Sequence, residues 1–207
     1  MSKSKSSSKS GKQRKNQTAQ KKDNGNVIAI AAIVLIVAGI GYYYWNSQSV
    51  ENTFLKEAAS GKSVTEKIKT VASKGRTHLR AGQNQNYQDA YPTSGSHDPR
   101  PTQTGFYTER QKPTKLVHAL EHGNVVIYYD KPGEKVLETL RSWVSLYSGP
   151  WDGVIVAPSA GIGQTIVLTA WVKKLRLEKF NQAEAATFMI FSGAAGLKTG
   201  FAKRGCR

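Results

Sequence analysis

Residues 116–129 read Leu-Val-His-Ala-Leu-Glu-His-Gly-Asn-Val-Val-Ile-Tyr-Tyr, and this stretch predicts a helix that ends at a glycine and leads into a strand. Its first half repeats apolar residues at helical spacing, with Thr114 at a cap position and Gly123 where a helix commonly ends. The β-branched and aromatic run Val125–Tyr129 is typical of a buried strand. We therefore expect a helix over Thr114–His122, and an extended conformation is the alternative.

The chain that follows alternates between further predicted helices and strands. Apolar residues at helical spacing predict an amphipathic helix over 134–148. The β-branched runs 154–156 and 166–171 predict strands, and Asn181 can cap a last helix. This order predicts an α+β fold in which helices cover one face of a short sheet. Three tryptophans are expected in the core: Trp143, Trp151 and Trp171.

The chain that precedes the quoted stretch looks less regular. Residues 75–113 contain repeated glycines and prolines, so we expect little regular structure there. Residues 46–74 are polar and helix-prone, with a patchy apolar stripe that Gly61 interrupts, and we interpret them as a connector. The folded domain is therefore predicted to span residues 75–207.

An apolar stretch comes before the connector. From Val27 to Trp45 no side chain is charged or strongly polar. A helix over residues 26–45 would be about 30 Å long, close to the thickness of the hydrocarbon core of a bilayer. A cleaved signal peptide is the alternative, but its apolar region usually has roughly 7–15 residues and is followed by a small-residue cleavage site, which is missing here. We therefore predict a single N-terminal transmembrane helix at residues 26–45.

The charge distribution predicts the orientation of this helix. The chain has 30 Lys and Arg against 14 Asp and Glu, and residues 1–25 form a basic tail that we expect to be disordered. By the positive-inside rule the tail stays in the cytoplasm, so the C-terminal domain lies outside it, as a single-pass protein of the cell membrane. Expected partners are anionic lipid headgroups for the tail, and a membrane protein for the domain. No specific nucleic-acid binding is expected.

All four histidines fall in one segment of this extracytoplasmic domain: His78, His97, His118 and His122. Neutral imidazole is the commonest metal ligand in proteins. In a helix His118 and His122 lie one turn apart, with Cβ atoms about 5–6 Å apart, and can chelate one ion. In a strand they would be about 13 Å apart and could not. We therefore predict that the four histidines bind copper or zinc, and the alternative is that they only hold loops by hydrogen bonds.

Glu121 lies between the paired histidines. It can orient an imidazole, act as general base toward a metal-bound water, or only form a salt bridge. The pattern His-x-x-Glu-His also matches the inverted zinc-peptidase motif. Those enzymes are far larger than this domain, and the third ligand would have to be Glu178 or Glu184, so we do not assign that family. The single cysteine, Cys206, is next to last in the chain, which excludes a disulfide framework and makes a blue-copper site improbable.

Several of these segments together resemble a bacterial family of membrane-anchored proteins with a domain of unknown function. The resemblance covers roughly residues 76–192, and His78 is similar to the first histidine of that family. It implies an N-terminal anchor and an exterior domain, and it implies no established activity. The segments that carry the resemblance are Tyr91–His97, Gly105–Tyr107, Leu116–Gly123 and Ala170–Trp171.

The leading hypothesis is a membrane-anchored module that binds a transition metal through clustered histidines, without enzymatic activity. One alternative is a zinc-dependent hydrolase in which Glu121 is the general base. The other is a structural accessory subunit of a membrane complex. A structure separates the first two from the third, because it shows whether the imidazole rings meet.

Overall fold

The computed structural model describes residues 25–147 and 153–192, which belong to two compact units that meet in sequence at Tyr42 and Tyr43. The basic tail, Trp151 and Cys206 lie outside the described residues. The helices are α1 (Gly25–Ser60), α2 (Pro113–Glu121), α3 (Glu134–Val144) and α4 (Gln182–Ser192), with a short 3-10 helix at Lys62–Lys67. The strands are β1 (Lys69–Thr70), β2 (Gly105–Phe106), β3 (Val125–Tyr129), β4 (Val154–Pro158), β5 (Ile166–Ala170) and β6 (Lys173–Leu177).

Helix α1 contains the predicted apolar segment. The helix is long and apolar enough to cross a membrane, with a mean hydropathy of 2.0 in its most apolar part. Its large apolar side chains from Ile28 to Trp45 are exposed. Solvation of so many apolar groups by water is unfavourable, and a lipid environment removes that cost. The helix continues beyond residue 45, where the prediction ended it, as far as Ser60.

The stretch interpreted as a connector, residues 46–74, supplies part of the second unit's core. Phe54 is fully buried and packs edge-on against Trp143 of α3, with ring centroids 5.2 Å apart. Val64 of the 3-10 helix is also fully buried in the same cluster. Gly61 permits this packing, because a Cβ atom there would lie 2.3 Å from the carbonyl oxygen of Ala183 in α4. This stretch therefore does more than join the apolar helix to the domain.

A mixed sheet forms the centre of the second unit, and the described strands follow the order β1-β6-β5-β3-β4-β2. The central strands β3 and β4 are parallel and are connected through α3, as parallel neighbours require a crossover. Strands β5 and β6 form an antiparallel hairpin beside β3. The predicted strand Val125–Tyr129 is confirmed, whereas β6, with its alternating lysine, leucine and arginine residues, was not predicted.

Helices cover both faces of the sheet, so the prediction that they cover one face is wrong. Alternate residues of β3 point to opposite faces, as in any strand. Val125 and Ile127 belong to the cluster that contains α3 and α4. Val126 and Tyr128 belong to a second cluster that contains α2. A strand that is buried on both faces carries no alternation of polar and apolar residues, which is the pattern that β3 shows.

The other predicted elements are found with shifted ends. Helix α3 ends at Val144 rather than at residue 148. The side chain of Asn181 accepts a hydrogen bond of 3.1 Å from the amide of Glu184, so the predicted cap of α4 is confirmed. Of the three tryptophans predicted in the core, Trp143 is buried there, whereas Trp171 is only partly buried, in the turn between β5 and β6.

Helix α2 is the element that positions the paired histidines, and its helical state is confirmed. Its N-cap is Lys112, two residues before the predicted cap Thr114, and Pro113 lies in its first turn. It ends in a complete Schellman motif around Gly123, which has a φ of 93°. The Gly123 amide donates to the Leu120 carbonyl and the Asn124 amide donates to the Ala119 carbonyl, each at 3.0 Å.

Asn124 connects the end of α2 to the sheet. It is fully buried, and its side-chain amide donates to the Ala119 carbonyl at 3.1 Å. Its side-chain oxygen accepts from the Gly153 amide at 2.9 Å and from the Thr104 hydroxyl at 3.1 Å. One residue therefore links α2, the start of β4 and the loop before β2.

We predict that Asn124→Ala lowers the free energy of unfolding by about 2 kcal/mol or more, because it leaves several buried polar groups without a partner. Urea unfolding of the full chain in detergent, followed by tryptophan fluorescence, measures this change. Glu138→Ala, at an exposed position of α3, is the control and should change stability by less than about 0.5 kcal/mol. Equal stabilities of the two variants would contradict the role given to Asn124.

Candidate metal centre

Two of the predicted histidines are brought together by their backbones. His78 and His97 form an isolated parallel bridge, in which the His97 amide donates to the Thr77 carbonyl at 2.9 Å. The Leu79 amide donates in turn to the His97 carbonyl at 2.7 Å. The two ring centroids are 5.1 Å apart. The irregular segment 75–113 thus has a defined path where it carries the histidines, although most of it forms no regular element, as predicted.

The other two histidines lie at the end of α2, His118 in its last turn and His122 as its C-cap. His118 and His122 stack, with ring centroids 4.7 Å apart and their Nε2 atoms 2.8 Å apart. This is the one-turn spacing that the helical interpretation predicted, and the 13 Å separation of a strand does not occur. His118 also lies beside the loop histidines, because its ring centroid is 4.8 Å from that of His78 and 4.9 Å from that of His97.

Backbone carbonyls orient the two buried rings. The Nδ1 atom of His97 lies 2.7 Å from the Gly95 carbonyl oxygen, and the Nδ1 atom of His118 lies 2.6 Å from the Asp98 carbonyl oxygen. Because a carbonyl can only accept, each Nδ1 carries the proton and donates it. In the neutral ring the Nε2 lone pair then points into the cluster. Metal-binding histidines are commonly oriented in this way.

Glu121 is the residue of the cluster whose position differs from the expectation. Its Oε2 atom lies 3.0 Å from Nε2 of His97 and 3.8 Å from Nε2 of His78. One donor atom each from His78, His97, His118 and Glu121 lies within 4.8 Å of the others. Three histidines and a glutamate therefore form a group that could hold a metal ion, in which Glu121 takes a place among the direct donors.

His122, the remaining predicted ligand, is not one of these four donors. It contacts the cluster through Nε2 of His118. The signal that could have identified Glu121 was its i, i+3 relation to His118, which places both side chains on one helix face. That relation alone does not show which of Glu121 and His122 turns toward a loop from elsewhere in the chain.

Burial divides the cluster into an inner and an outer side. His97 is fully buried and His118 is 4% exposed. The His78 side chain is 53% exposed and the Glu121 side chain 23% exposed. His122 is also exposed. The group is therefore open to solvent on the side of His78 and His122.

The environment of His118 favours its neutral imidazole. Burial lowers the pKa of His118 and the neighbouring histidines act in the same direction, whereas the hydrogen bond to the Asp98 carbonyl opposes them. Within the described residues, Nε2 of His97 is buried and has no hydrogen-bond partner, although Oε2 of Glu121 lies 3.0 Å away. A buried polar atom in this state is uncommon in native proteins and calls for an explanation.

Trp171 borders the cluster, which the sequence did not indicate. Its indole lies edge-on to the His97 ring, with centroids 6.4 Å apart. The next residue, Val172, has a φ of 54°, a strained conformation for a β-branched side chain. The Val172 amide donates to the Thr93 carbonyl at 3.1 Å, so this turn is fastened to the loop that leads to His97.

Comparison with known proteins supplies a family. No curated protein and no solved structure matches the chain significantly. A family model described as "Protein of unknown function (DUF3105)" matches residues 78–195, which is more than half of the chain. The match begins at His78 and includes every residue of the cluster. The chain therefore belongs to the DUF3105 family of proteins of unknown function.

Proposed function

We propose that this protein is a membrane-anchored module that binds one copper or zinc ion through His78, His97, His118 and Glu121. The observation that carries the proposal is the state of His97. Its Nδ1 atom is committed as a donor to the Gly95 carbonyl, so its buried Nε2 presents a lone pair to a carboxylate oxygen 3.0 Å away. Two acceptors at this distance repel each other unless a proton or a metal ion lies between them.

The donor set favours a metal over a proton. A proton on Nε2 would create a buried imidazolium, which is unfavourable unless it is fully hydrogen-bonded, and this Nε2 has no hydrogen-bond partner among the described residues. A metal ion would be shared by all four donors of the group. Because three of these are imidazoles, the group suits zinc or copper and is a poor match for magnesium or calcium, which prefer oxygen ligands.

The dimensions of the group allow this coordination after a small contraction. Bonds of about 2.0–2.1 Å in a tetrahedral zinc site separate the ligand atoms by roughly 3.3 Å. The donor atoms here lie within 4.8 Å of one another. The two outer donors, His78 and Glu121, can close this gap by side-chain rotation, because neither is fully buried.

A zinc-dependent hydrolase is the second candidate, because three histidines with a solvent-facing side resemble a catalytic site with an open position. In that case Glu121 would act on a zinc-bound water as general base. The 3.0 Å distance between Glu121 Oε2 and His97 Nε2 supports a ligand role instead, because a ligand of the same ion lies at this distance from another ligand. The two roles of Glu121 predict different effects of the same substitution, Glu121→Gln.

We also propose that the protein is anchored in the cell membrane. Helix α1 supplies the span, the basic residues 1–25 stay in the cytoplasm by the positive-inside rule, and the metal-binding unit lies outside it. Anionic lipid headgroups attract the basic tail. An extracytoplasmic site would have access to metal ions that the cytoplasm buffers.

We predict that the full chain, purified in detergent and dialysed against copper or zinc, binds one ion per chain, and that His97→Ala abolishes this binding. Elemental mass spectrometry of the dialysed protein measures the stoichiometry. Glu138→Ala is the control and should retain the ion. If the unmodified chain binds no stoichiometric metal, the histidines serve only to hold loops and the accessory-subunit hypothesis is favoured.

We predict that Glu121→Gln weakens metal binding by more than about tenfold, because the amide loses the charge of the ligand. Competition with a chromophoric chelator measures the affinity. If the protein is instead a hydrolase with Glu121 as general base, Glu121→Gln keeps zinc at unchanged affinity. The variant then loses an ester, phosphate or peptide hydrolysis that the unmodified protein shows.

The proposed orientation of the chain across the membrane can be tested with a membrane-impermeant maleimide and two engineered cysteines, one on each side. In a Cys206→Ser background, Glu138→Cys should react on intact spheroplasts, because this exposed residue lies on the external unit. Ser4→Cys in the same background should react only after lysis. The reverse pattern of labelling would show that the domain is cytoplasmic.

A further inference from the structure

We infer that His122 is a capture ligand through which a copper ion reaches and leaves the buried site, so that the metal is an exchangeable cargo rather than a fixed structural ion. This inference rests on the proposed function and concerns the same site. It assigns to His122 a role different from that of the four resident donors. Three observations carry it: the burial of the donors, the position of His118, and the separation of the two helix imidazoles.

The first observation is that the inner donors cannot meet an incoming ion first. His97 is fully buried and His118 is 4% exposed. An aqua ion that approaches from solvent first meets the exposed imidazoles, which are His78 in the loop and His122 at the C-cap of α2. Structural zinc sites are usually closed by four ligands, whereas this one has a further imidazole next to it on the outside.

The second observation is that His118 belongs to both sets of donors. It supplies one of the four donor atoms that lie within 4.8 Å of one another, and its Nε2 atom lies 2.8 Å from Nε2 of His122. An ion held by His118 and His122 can therefore move inward one bond at a time. As the bond to His97 or Glu121 forms, the bond to His122 breaks, while His118 keeps the ion throughout.

The third observation is the spacing of the capturing pair. Two nitrogen atoms 2.8 Å apart subtend an angle close to a right angle at an ion with bonds of about 2.0–2.1 Å. Right angles between neighbouring ligands are typical of tetragonal Cu(II), whereas tetrahedral zinc requires wider ones. The oxidation state of copper does not change during this transfer. His122 donates the hydrogen bond between the two Nε2 atoms, and when copper binds its proton moves through water to its own Nδ1, so that His122 stays neutral and its Nε2 lone pair binds the ion.

The inference makes a kinetic prediction that separates His122 from the resident ligands. If His122 holds copper only during its passage, His122→Ala leaves the equilibrium affinity unchanged. The association and dissociation rates then fall severalfold, by the same factor, because their ratio is the affinity. His97→Ala, by contrast, should abolish stable binding, because it removes a resident ligand.

Stopped-flow fluorescence of the full chain in detergent measures both rates. Cu²⁺ quenches nearby tryptophans, and Trp171 lies 6.4 Å from His97. Mixing with excess Cu²⁺ gives the association rate, and mixing the loaded protein with a strong chelator gives the dissociation rate. Trp171→Phe identifies the reporter, and Glu138→Ala is the control that should keep both rates.

The possible results are distinguishable. A parallel fall of both rates at constant affinity supports the role of His122. A loss of affinity with faster dissociation would show that His122 is a resident ligand, and unchanged rates would show that copper enters elsewhere; either result overturns the inference but leaves the metal site intact. If the unmodified chain binds no copper, the proposed function fails together with the inference.

Discussion

Two hydrogen bonds from imidazole rings to backbone carbonyls determine what the histidine cluster can do. The carbonyl groups of Gly95 and Asp98 accept the Nδ1 protons of His97 and His118. A neutral imidazole that donates from one nitrogen presents a lone pair at the other. The free Nε2 of His97 lies 3.0 Å from Glu121, and the Nε2 of His118 lies 2.8 Å from that of His122. The tautomer of each ring is thus decided by a loop of the main chain. Without these two contacts the rings could rotate and the cluster would be a group of ordinary polar side chains.

The loop can make these contacts because the rest of the unit holds it in place. The parallel bridge between His78 and His97 joins its two arms, and the turn at Val172 fastens it to the sheet. Helix α2 brings the opposite side of the cluster, and its end is held by the Schellman motif and by Asn124. The site is therefore built from an irregular segment that is stabilised by regular elements on either side, which is common for functional loops.

Local patterns predicted most of the elements, and long-range contacts decided their arrangement. The helix over α2, the strand Val125–Tyr129 and the cap at Asn181 depend on neighbours within one or two turns of chain. The assignment of helices to both faces could not be predicted in this way. A strand that is buried on both sides shows no alternation of polar and apolar residues, so its sequence does not indicate which face of the sheet packs against which helix. Likewise, Phe54 enters the core through an aromatic partner in α3, far along the chain.

The sequence by itself determined the apolar helix, the helix–glycine–strand unit and the one-turn spacing of His118 and His122, because each of these follows from the periodicity of a continuous segment. Only the tertiary structure decided that His78 and His97 meet this pair, and that Glu121 rather than His122 faces them. The physical reason is that the meeting requires hydrogen bonds between residues that are distant in the chain, such as the bond from the His118 Nδ1 to the Asp98 carbonyl. Residue types and spacings within one segment do not predict such long-range contacts.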